Sequence, residues 1–219
     1  MNIEKTLGLD GLDIRIRDYL FEHIVQNGFF VELGANDGIS QSNTAILESD
    51  FGWTGILIEA VKPLYDKCVL NRQGSKVYNF ACVDFGYDKP FIELIYSDLM
   101  STPLIKGSDI QDPFGHAFSG AKWLGPNENV EKISVPVATL TKLLDLGGAP
   151  KSIEFLSLDV EGAELNVLKG IDFSRYKIKF IVVETRSLIR IVQFLSEYGY
   201  FVRAQLSVHD FLFERRRYI

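Results

Sequence analysis

Apolar residues along the chain follow two alternating spacings. Continuous apolar runs favour buried strands, and apolar residues three or four positions apart favour helices with one buried face. The predicted strands are 29–33, 54–59, 76–81, 153–158 and 178–183, and the predicted helices are 12–26, 40–48, 63–72, 163–169 and 187–197. Strands that alternate with helices predict an α/β fold with a largely parallel sheet covered on both faces.

Two regions depart from this alternation. Segments 200–204 and 210–215 predict a closing antiparallel strand pair. Between 85 and 138, after a possible strand at 91–95, the chain becomes polar and rich in Gly, Pro, Ser and Asp. Long insertions in compact domains often cover binding sites, so residues 97–132 are predicted to form a lid or substrate-binding insertion.

Length and charge narrow the domain count and the partners. The 219 residues and 47% hydrophobic content suit one globular domain, 1–219, in which residues 1–28 form an N-terminal helical extension. Nucleic-acid-binding proteins usually carry a basic patch, whereas this chain has a net charge of −6. Its one dense basic run, Arg215–Arg217, is interpreted as a solvated strand end. The predicted partner is a small molecule or a saccharide and not a nucleic acid, and the sequence leaves the oligomeric state open.

The cysteines and the N-terminal sequence bear on the compartment. Cys68 and Cys82 are interpreted as reduced packing residues, because neither belongs to a CxxC pair. The segment MNIEKTLGLD lacks the basic region and apolar run of a signal peptide. No apolar stretch reaches the roughly 18 residues that a membrane-spanning helix needs. We therefore expect a cytoplasmic protein without a membrane span.

The first predicted strand leads directly into a glycine-containing turn, in the segment ELGANDG. Parallel sheets bind ligands at the carboxyl ends of their strands, and Gly34 lets the backbone approach a ligand closely. A dinucleotide site would need GxGxxG, but the second and third glycine positions hold Asn36 and Ile39. Glu32 and Asp37 would repel a pyrophosphate. They favour a ligand that carries an ammonium group and a sulfonium centre.

Glu59 ends the next predicted strand, in the segment GILIEA. An acidic residue about 20 positions beyond such a turn is placed to accept hydrogen bonds from ribose hydroxyls. For Glu59 alone, an ordinary charge at a strand end is the simpler alternative. Because the turn and Glu59 both follow strands at this spacing, the pair favours a ligand with a nucleoside.

A second group of acidic residues follows the later strands. Asp159 ends the strand in FLSLDVEGAE and Glu184 ends the strand in IVVET, so both are expected at the same edge of the sheet as the glycine turn. With Thr185 they could hold one Mg²⁺ through oxygen ligands. In the competing interpretation, which is slightly favoured, no metal takes part and Asp159 contacts the cofactor or the acceptor hydroxyls. Glu161 and Glu164 begin the following helix, where carboxylates also suit the helix dipole.

Four motifs in this order, GANDG, GWTGILIEA, LSLDVEGAELNVLKG and IVVETR, resemble the FkbM family of S-adenosylmethionine-dependent methyltransferases from about residue 29 to 215. The resemblance implies a Rossmann-like class I methyltransferase fold, with a seven-stranded, mostly parallel sheet, an antiparallel last strand and helices on both faces. It also implies S-adenosylmethionine as the cofactor. The residues implied to bind it are Glu32, Gly34, Ala35, Asn36, Asp37 and Ser42 around the turn, Glu59 at the ribose, and Ala60 and Cys82 beside the adenine.

The resemblance further implies methyl transfer to a hydroxyl of a sugar or a secondary metabolite. A hydroxyl needs a base or a metal to remove its proton. His116, in the predicted lid, is the first candidate base, although a surface histidine is the commoner role for such a residue. The other predicted catalytic residues are Asp159 and Glu161, and the possible Mg²⁺ ligands are Asp159 and Glu184. The alternatives are an N-methyltransferase, a catalytically silent partner protein of the same fold, and a NAD-dependent reductase, which the missing glycines disfavour.

Overall fold

The computed structural model describes residues 6–20 and 26–216. In chain order its strands are β1 (Phe29–Leu33), β2 (Thr54–Ile58), β3 (Lys76–Tyr78), β4 (Ala81–Cys82), β5 (Phe91–Tyr96), β6 (Thr102–Pro103), β7 (Glu131–Ala138), β8 (Ser152–Leu158), β9 (Lys177–Glu184), β10 (Tyr200–Gln205) and β11 (Asp210–Arg215). Its helices are α1 (Leu12–Leu20), α2 (Ala45–Phe51), α3 (Lys62–Asn71), α4 (Pro113–Ser119), α5 (Leu140–Gly147), α6 (Glu164–Leu168) and α7 (Leu188–Ser196). The predicted helix 12–26 is observed over α1, and its residues 21–25, like Arg217 of the basic run, lie outside the described residues.

Seven of the described strands form the main sheet, in the order β10-β11-β9-β8-β1-β2-β3. All neighbours are parallel except β11, which runs antiparallel to both β9 and β10. The predicted α/β class, with a seven-stranded, mostly parallel sheet and an antiparallel last strand, is therefore confirmed. None of the described helices is long and apolar enough to cross a membrane.

Alternate side chains of the strands feed two separate cores. Val31, Ile56 and Leu156 point to the face covered by α5, α6 and α7. Phe30 and Leu57 point to the opposite face, which α1, α2 and α3 cover. A sheet buried on both faces explains why its strands appear in the sequence as continuous apolar runs.

Three elements differ from the sequence prediction. The predicted helix 40–48 begins only at Ala45, because Ser42, Asn43 and Thr44 hydrogen-bond to Glu32 and do not continue a helix. The predicted strand 76–81 is divided between β3 and β4, which belong to different sheets. Helix α5 was not predicted, although its buried Leu140, Leu143 and Leu144 have helical spacing.

The predicted insertion 97–132 is folded against the ends of the main sheet. It carries β6, α4 and two short 3₁₀ turns, Asp98–Met100 and Ala121–Trp123. It joins β5 to β7, which pair antiparallel in a second sheet of order β4-β7-β5-β6. Its motion as a lid stays a prediction.

The register of the main sheet places four predicted site residues in one row. Leu33 at the end of β1 pairs with Ile58 of β2 and with Leu158 of β8, and Leu158 pairs with Val183 of β9. The residues that follow are Gly34, Glu59, Asp159 and Glu184. The carboxyl ends of four parallel strands therefore present these residues side by side, at the edge where open α/β sheets bind ligands.

Gly34 joins the two halves of this row. It has a φ of +77°, and a Cβ atom added to it would lie 1.8 Å from the carbonyl oxygen of Asp159. The N–H groups of Gly34 and Ala35 donate to the carbonyl of Ile58 at 3.1 and 3.2 Å. The turn is thus pressed between the ends of β2 and β8, which only glycine permits.

Replacing Gly34 by alanine should destabilise the fold by more than the strain of a left-handed backbone alone would. Gly34→Ala meets both the left-handed backbone and the carbonyl of Asp159, so we expect the free energy of unfolding to fall by about 3 kcal/mol or more. Gly148→Ala is the matched control, because Gly148 has a φ of +65° with no atom within 4 Å of an added Cβ. That control should cost only about 1–2 kcal/mol. Urea denaturation of both variants gives the comparison, and equal losses would contradict a steric role for Gly34.

Candidate functional site

A cavity of about 310 Å³ opens at this edge of the sheet. Its floor contains Gly34, Glu59, Asp159 and Glu184, the four residues that follow the strand ends. Further walls come from the second sheet and from residues 97–132. A cavity of this size is at the lower end of the range of about 300–1,000 Å³ typical of small-molecule sites.

A buried ion pair supports the glycine turn from below. The Glu32 carboxylate accepts hydrogen bonds from Thr44 Oγ1 (2.6 Å), Asn43 N (2.8 Å) and Ser42 Oγ (3.0 Å), and it lies 3.5 Å from Arg72 Nη1. The Arg72 side chain is only 2% exposed. These contacts direct Glu32 into the protein, beneath the turn.

Arg72 also fixes the far end of the turn. Its guanidinium donates to the carbonyl of Gly38 at 3.0 Å, to Thr44 Oγ1 at 3.0 Å and to Glu48 at 2.9 Å. A Cβ atom on Gly38 would lie 2.6 Å from the Arg72 side chain. The turn therefore closes around a single buried guanidinium that α3 supplies.

Asp37 stabilises the turn through its own backbone. Its carboxylate accepts hydrogen bonds from Ser40 N (2.6 Å), Ile39 N (2.9 Å) and Ser40 Oγ (2.8 Å). Burial raises the pKa of Asp37, but the hydrogen bonds from Ser40 and Ile39 outweigh it, so the pKa lies below its ordinary value. Asp37 thus stays ionised, with its charge used inside the loop.

Glu59 faces the cavity, and its carboxyl group has an unusually high pKa. Its two oxygens accept from the N–H groups of Asn36 (2.8 Å) and Val61 (2.7 Å). Burial raises the pKa of Glu59 to about 7, although the hydrogen bonds from Val61 and Asn36 lower it. A carboxylate oxygen can accept a second hydrogen bond, so Glu59 keeps acceptor capacity for a ligand.

An acidic cluster forms the other half of the floor. Carboxyl oxygens of Asp159, Glu161 and Glu184 all lie within 4.8 Å of one another. Asp159 lines the cavity and its side chain is open to it. Desolvation by the surrounding protein, together with the charge of Glu184 and the hydrogen bond to it, raises the pKa of Asp159 above its ordinary value. Asp159 therefore takes up a proton more readily than an ordinary carboxyl group.

Arg186 supplies the positive charge nearest to the cluster. Its Nη2 lies 3.8 Å from Glu161 Oε2 and 3.9 Å from Glu184 Oε1, and its side chain lines the cavity. The motif IVVETR contains this residue, but the sequence alone gave no reason to assign it a role. Its contribution depends on the end of β9 lying beside the end of β8.

His116 reaches the cluster from the insertion. Its Nε2 lies 2.7 Å from Glu161 Oε2, and both side chains are largely buried. Helix α4, which carries His116, begins at Asp112, whose carboxylate accepts from the N–H of Gly115. The backbone of Glu161 has a φ of +52°, which is uncommon and strained for a residue with a side chain. The structure thus brings two predicted catalytic residues into direct contact.

Asp109 and Glu164 hold the insertion and the β8–α6 turn in place. Asp109 Oδ2 accepts from Thr185 Oγ1 and from the N–H of Arg186, each at 2.8 Å. Glu164 accepts from the N–H groups of Val160 and Gly162, and burial raises its pKa to about 8. Thr185 therefore contacts the insertion, and Glu164 stabilises its own turn.

The predicted residues divide into two groups. Those that line the cavity are Gly34, Asn36, Glu59, Ala60, Cys82, Asp159, Glu161 and Glu184. Those placed outside the described lining are Glu32, Ala35, Asp37, Ser42 and His116. Glu32 and Ser42 bond to each other beneath the turn, Asp37 bonds within the loop, Ala35 packs in the core and His116 supports Glu161. For both groups, the assignment as cofactor-binding or catalytic residues stays a prediction.

Comparison with known proteins agrees with this architecture. A family model described as the methyltransferase FkbM domain matches residues 32–202. A search of curated protein sequences finds no match. The human methyltransferase 10 domain containing protein is similar in structure, with a TM-score of 0.51, 11% identity, and coverage of 100% of this chain and 88% of that chain. The METTL16 MTase domain also has a TM-score of 0.51 at 11% identity, with coverage of 100% and 73%.

A third solved structure is similar over a smaller part of its length. M. capricolum TrmK, in complex with S-adenosyl-homocysteine, has a TM-score of 0.43 and 7% identity, and the alignment covers 90% of this chain. The present chain spans 65% of the length of that protein. The two structures with a TM-score of 0.51 establish a shared class I methyltransferase fold.

Removing the buried guanidinium should unfold the turn and weaken the whole domain. Arg72→Met leaves Glu32 buried without its counter-charge, so we expect a loss of about 3–5 kcal/mol in the free energy of unfolding. Adding Glu32→Gln to this variant should recover part of the loss, because the uncompensated charge is then gone. Arg175→Met, which breaks a surface ion pair with Asp145, is the control and should change stability little. Chemical denaturation measures all three, and a stable Arg72→Met would contradict the network.

Proposed function

The chain belongs to the FkbM family of S-adenosylmethionine-dependent methyltransferases, and from this membership we propose that it methylates a hydroxyl of a sugar, a glycan or a hydroxylated secondary metabolite. The observation that carries the proposal is the Glu161 carboxylate in the cavity lining, which His116 contacts from outside the lining. A hydroxyl is a poor nucleophile until a base removes its proton. An amine acceptor would need no such base, so the pair favours O-methylation over the N-methyltransferase alternative.

The cavity fits the cofactor on its β1–β2 side. S-adenosylmethionine supplies, when bound, a sulfonium methyl group that is already activated for transfer. The residues that would hold it are Gly34, Asn36, Glu59, Ala60 and Cys82, which line the cavity together. Glu59 supports this fit most directly, because its buried carboxylate has acceptor capacity left for ribose hydroxyls.

Glu161 is the residue that we assign to remove the acceptor proton. It lines the cavity, and His116 Nε2 and Arg186 Nη2 lie 2.7 and 3.8 Å from the same carboxylate oxygen. These two neighbours fix the position of the carboxylate and stabilise its negative charge. His116 is thus a positioning residue, and Glu161 contacts the hydroxyl.

Asp159 and Glu184 have a complementary role. In this proposal Asp159 acts in its protonated form, which desolvation and the charge of Glu184 favour by raising its pKa. A protonated carboxyl can donate a hydrogen bond to an acceptor oxygen while Glu184 accepts one. The two residues therefore orient neighbouring hydroxyls, which brings one hydroxyl into line for transfer.

The acidic cluster has the oxygen ligands of a Mg²⁺ site, yet part of its negative charge is already compensated. Three carboxyl groups lie within 4.8 Å, which suits a hard cation. Arg186 lies within 3.9 Å of two of them, and the raised pKa of Asp159 favours its neutral form. We therefore propose a reaction that needs no metal, as the slightly favoured interpretation of the sequence also holds.

The remaining expectations stay proposals. A small molecule or a saccharide fits a cavity of about 310 Å³. An intact cavity with Glu59 and Asp159 in its floor favours an enzyme over a silent partner protein of the same fold. A cytoplasmic location stays a prediction from the sequence.

Binding of the cofactor product should depend on pH through Glu59. Its pKa is about 7 in the free protein, so the carboxylate gains a proton below that pH and loses acceptor capacity. Ribose hydroxyls favour the ionised form, so affinity for S-adenosylhomocysteine should rise by roughly tenfold from about pH 6 to about pH 8. Titration calorimetry should show proton release on binding.

Glu59→Gln provides the control for this pH dependence. It keeps the shape of the side chain and removes its titration, so binding should weaken, on the order of 1.5–3 kcal/mol, and become nearly flat with pH. Wild-type affinity that is also flat with pH, or a wild-type level of binding in Glu59→Gln, would remove Glu59 from the cofactor site.

The proposed base should be the most sensitive residue of the cluster. Glu161→Gln keeps a hydrogen bond to His116 but cannot accept a proton, so kcat should fall by at least about a hundredfold. Asp159→Asn should lose less, because the amide still donates to Glu184 as the protonated carboxyl does. Asp88→Asn, at an exposed position, is the control. S-adenosylhomocysteine formation with a hydroxylated acceptor gives the rates, and melting temperatures check the fold.

The same assay tests whether the reaction needs a metal ion. Activity should survive thorough EDTA treatment and stay unchanged on addition of Mg²⁺ or Mn²⁺. If EDTA stops turnover and Mg²⁺ restores it, the carboxyl cluster is a metal site and Arg186 is not its counter-charge. Full activity in Glu161→Gln would move the base to another residue.

A further inference from the structure

Resting on the proposed hydroxyl methylation, we propose that the acceptor is an uncharged, hydroxylated ring that stacks on Trp123, and that the acidic cavity rejects phosphorylated and other anionic molecules. The proposal names the substrate class of the site. Two independent features carry it: the charges that line the cavity, and the position of Trp123 on the insertion.

The charged lining is almost entirely acidic. The charged residues that line the cavity are Glu59, Asp98, Asp159, Glu161, Glu184 and Arg186. Arg186, the one cation in the described part of the lining, already lies 3.8 and 3.9 Å from Glu161 and Glu184. A phosphate or carboxylate on the acceptor would need a cationic partner and would meet carboxylates. A neutral polyhydroxylated molecule can instead donate to those carboxylates.

The insertion contributes an apolar part of the cavity lining. Leu99 and Met100 follow β5, Ile105 follows β6, and Trp123 ends the second 3₁₀ turn. Trp123 is 44% exposed although it lines the cavity, so its ring is accessible from the mouth. Aromatic rings with this kind of exposure bind the apolar faces of ring-shaped ligands.

Lys122 also contacts this ring. Its Nζ is 4.1 Å from the centroid of the Trp123 ring, a cation–π contact, and it lies outside the described lining. The ammonium therefore covers one face of the indole, and the acceptor is proposed to stack on the other face. The acceptor meets the ring of Trp123 and the acidic floor.

The stacking ring and the base rest on the same support. His116 of α4 contacts Glu161, and the next turn of the chain leads from α4 to Trp123. Ser97 Oγ donates to the carbonyl of Ala117 at 2.5 Å, and a Cβ on Gly120 would lie 2.7 Å from Met100. The end of helix α4 is thus held against Ser97 and Met100, three to six residues before Trp123. Ring position and hydroxyl position are set together.

Matched pairs of probes test the charge selection. The pairs are methyl β-D-glucopyranoside with glucose 6-phosphate, p-nitrophenyl β-D-glucopyranoside with p-nitrophenyl phosphate, and uridine with uridine 5′-monophosphate. For the p-nitrophenyl pair, whose phosphate member has no alcohol hydroxyl to methylate, only melting shifts are compared. We expect transfer in the other pairs, measured as S-adenosylhomocysteine formation, and melting shifts in the presence of S-adenosylhomocysteine only for uncharged members, with kcat/KM at least about tenfold above the anionic member. An anionic probe that reacts as well as its partner overturns the proposal.

The remaining outcomes separate this proposal from the proposed function. Transfer to an anionic hydroxylated probe leaves hydroxyl methylation standing and defeats the charge selection alone. Absence of S-adenosylhomocysteine binding defeats the proposed function itself. If the protein binds S-adenosylhomocysteine but no uncharged ring binds or reacts, the assigned substrate class is wrong.

Variants of the insertion test the stacking contact. Trp123→Ala should raise KM for the best uncharged probe about tenfold with little change in kcat, and Trp123→Phe should restore most of the affinity. Phe118→Ala is the matched control, because Phe118 is 60% exposed on α4 but lies outside the described lining. Met100→Lys, which adds a cation to the wall, should improve binding of the phosphorylated probes. Equal effects of Trp123→Ala and Phe118→Ala would overturn the stacking role.

Discussion

The contact between the Gly34 turn and the carbonyl of Asp159 is the constraint on which the site depends. Four parallel strands end in register, but their side chains form one cavity only if the β1 turn lies flat against the end of β8. Because Gly34 has no Cβ, that contact is possible and the cofactor side and the acidic side of the floor become neighbours. The same turn then needs support from below, which Arg72 provides.

Glu32 and Asp159 are accommodated in two physically different ways. Glu32 sits beneath the turn with Arg72 and three hydrogen-bond donors, so its charge is neutralised inside the protein. Asp159 faces the cavity with two other acids, and its raised pKa favours the neutral form, which lowers the repulsion. The first arrangement serves stability. The second leaves polar groups available at the cavity, where an acceptor can use them.

The sequence was sufficient for the fold and for the outline of the floor. Continuous apolar runs located the strands, and acids directly after them located Glu59, Asp159 and Glu184, since parallel strands end at one edge. It gave no sign that Glu32 and Ser42 bond to each other beneath the turn, because a strand residue next to a glycine turn can point into either core. Arg72 and Asp109 were missed because their partners lie 24 to 77 positions away, and no local pattern records such contacts. Helix α5 had a clear spacing that was overlooked next to the polar insertion.

At Glu161, the left-handed backbone lowers the stability of the fold, whereas the side chain serves the proposed reaction. A glycine there would relieve the strain and remove one of the like charges on the floor, so it would make a more stable protein. It would also remove the side chain that contacts His116 and faces the cavity. This position is therefore a trade-off between stability and activity, where selection for thermal robustness alone would erode the enzyme.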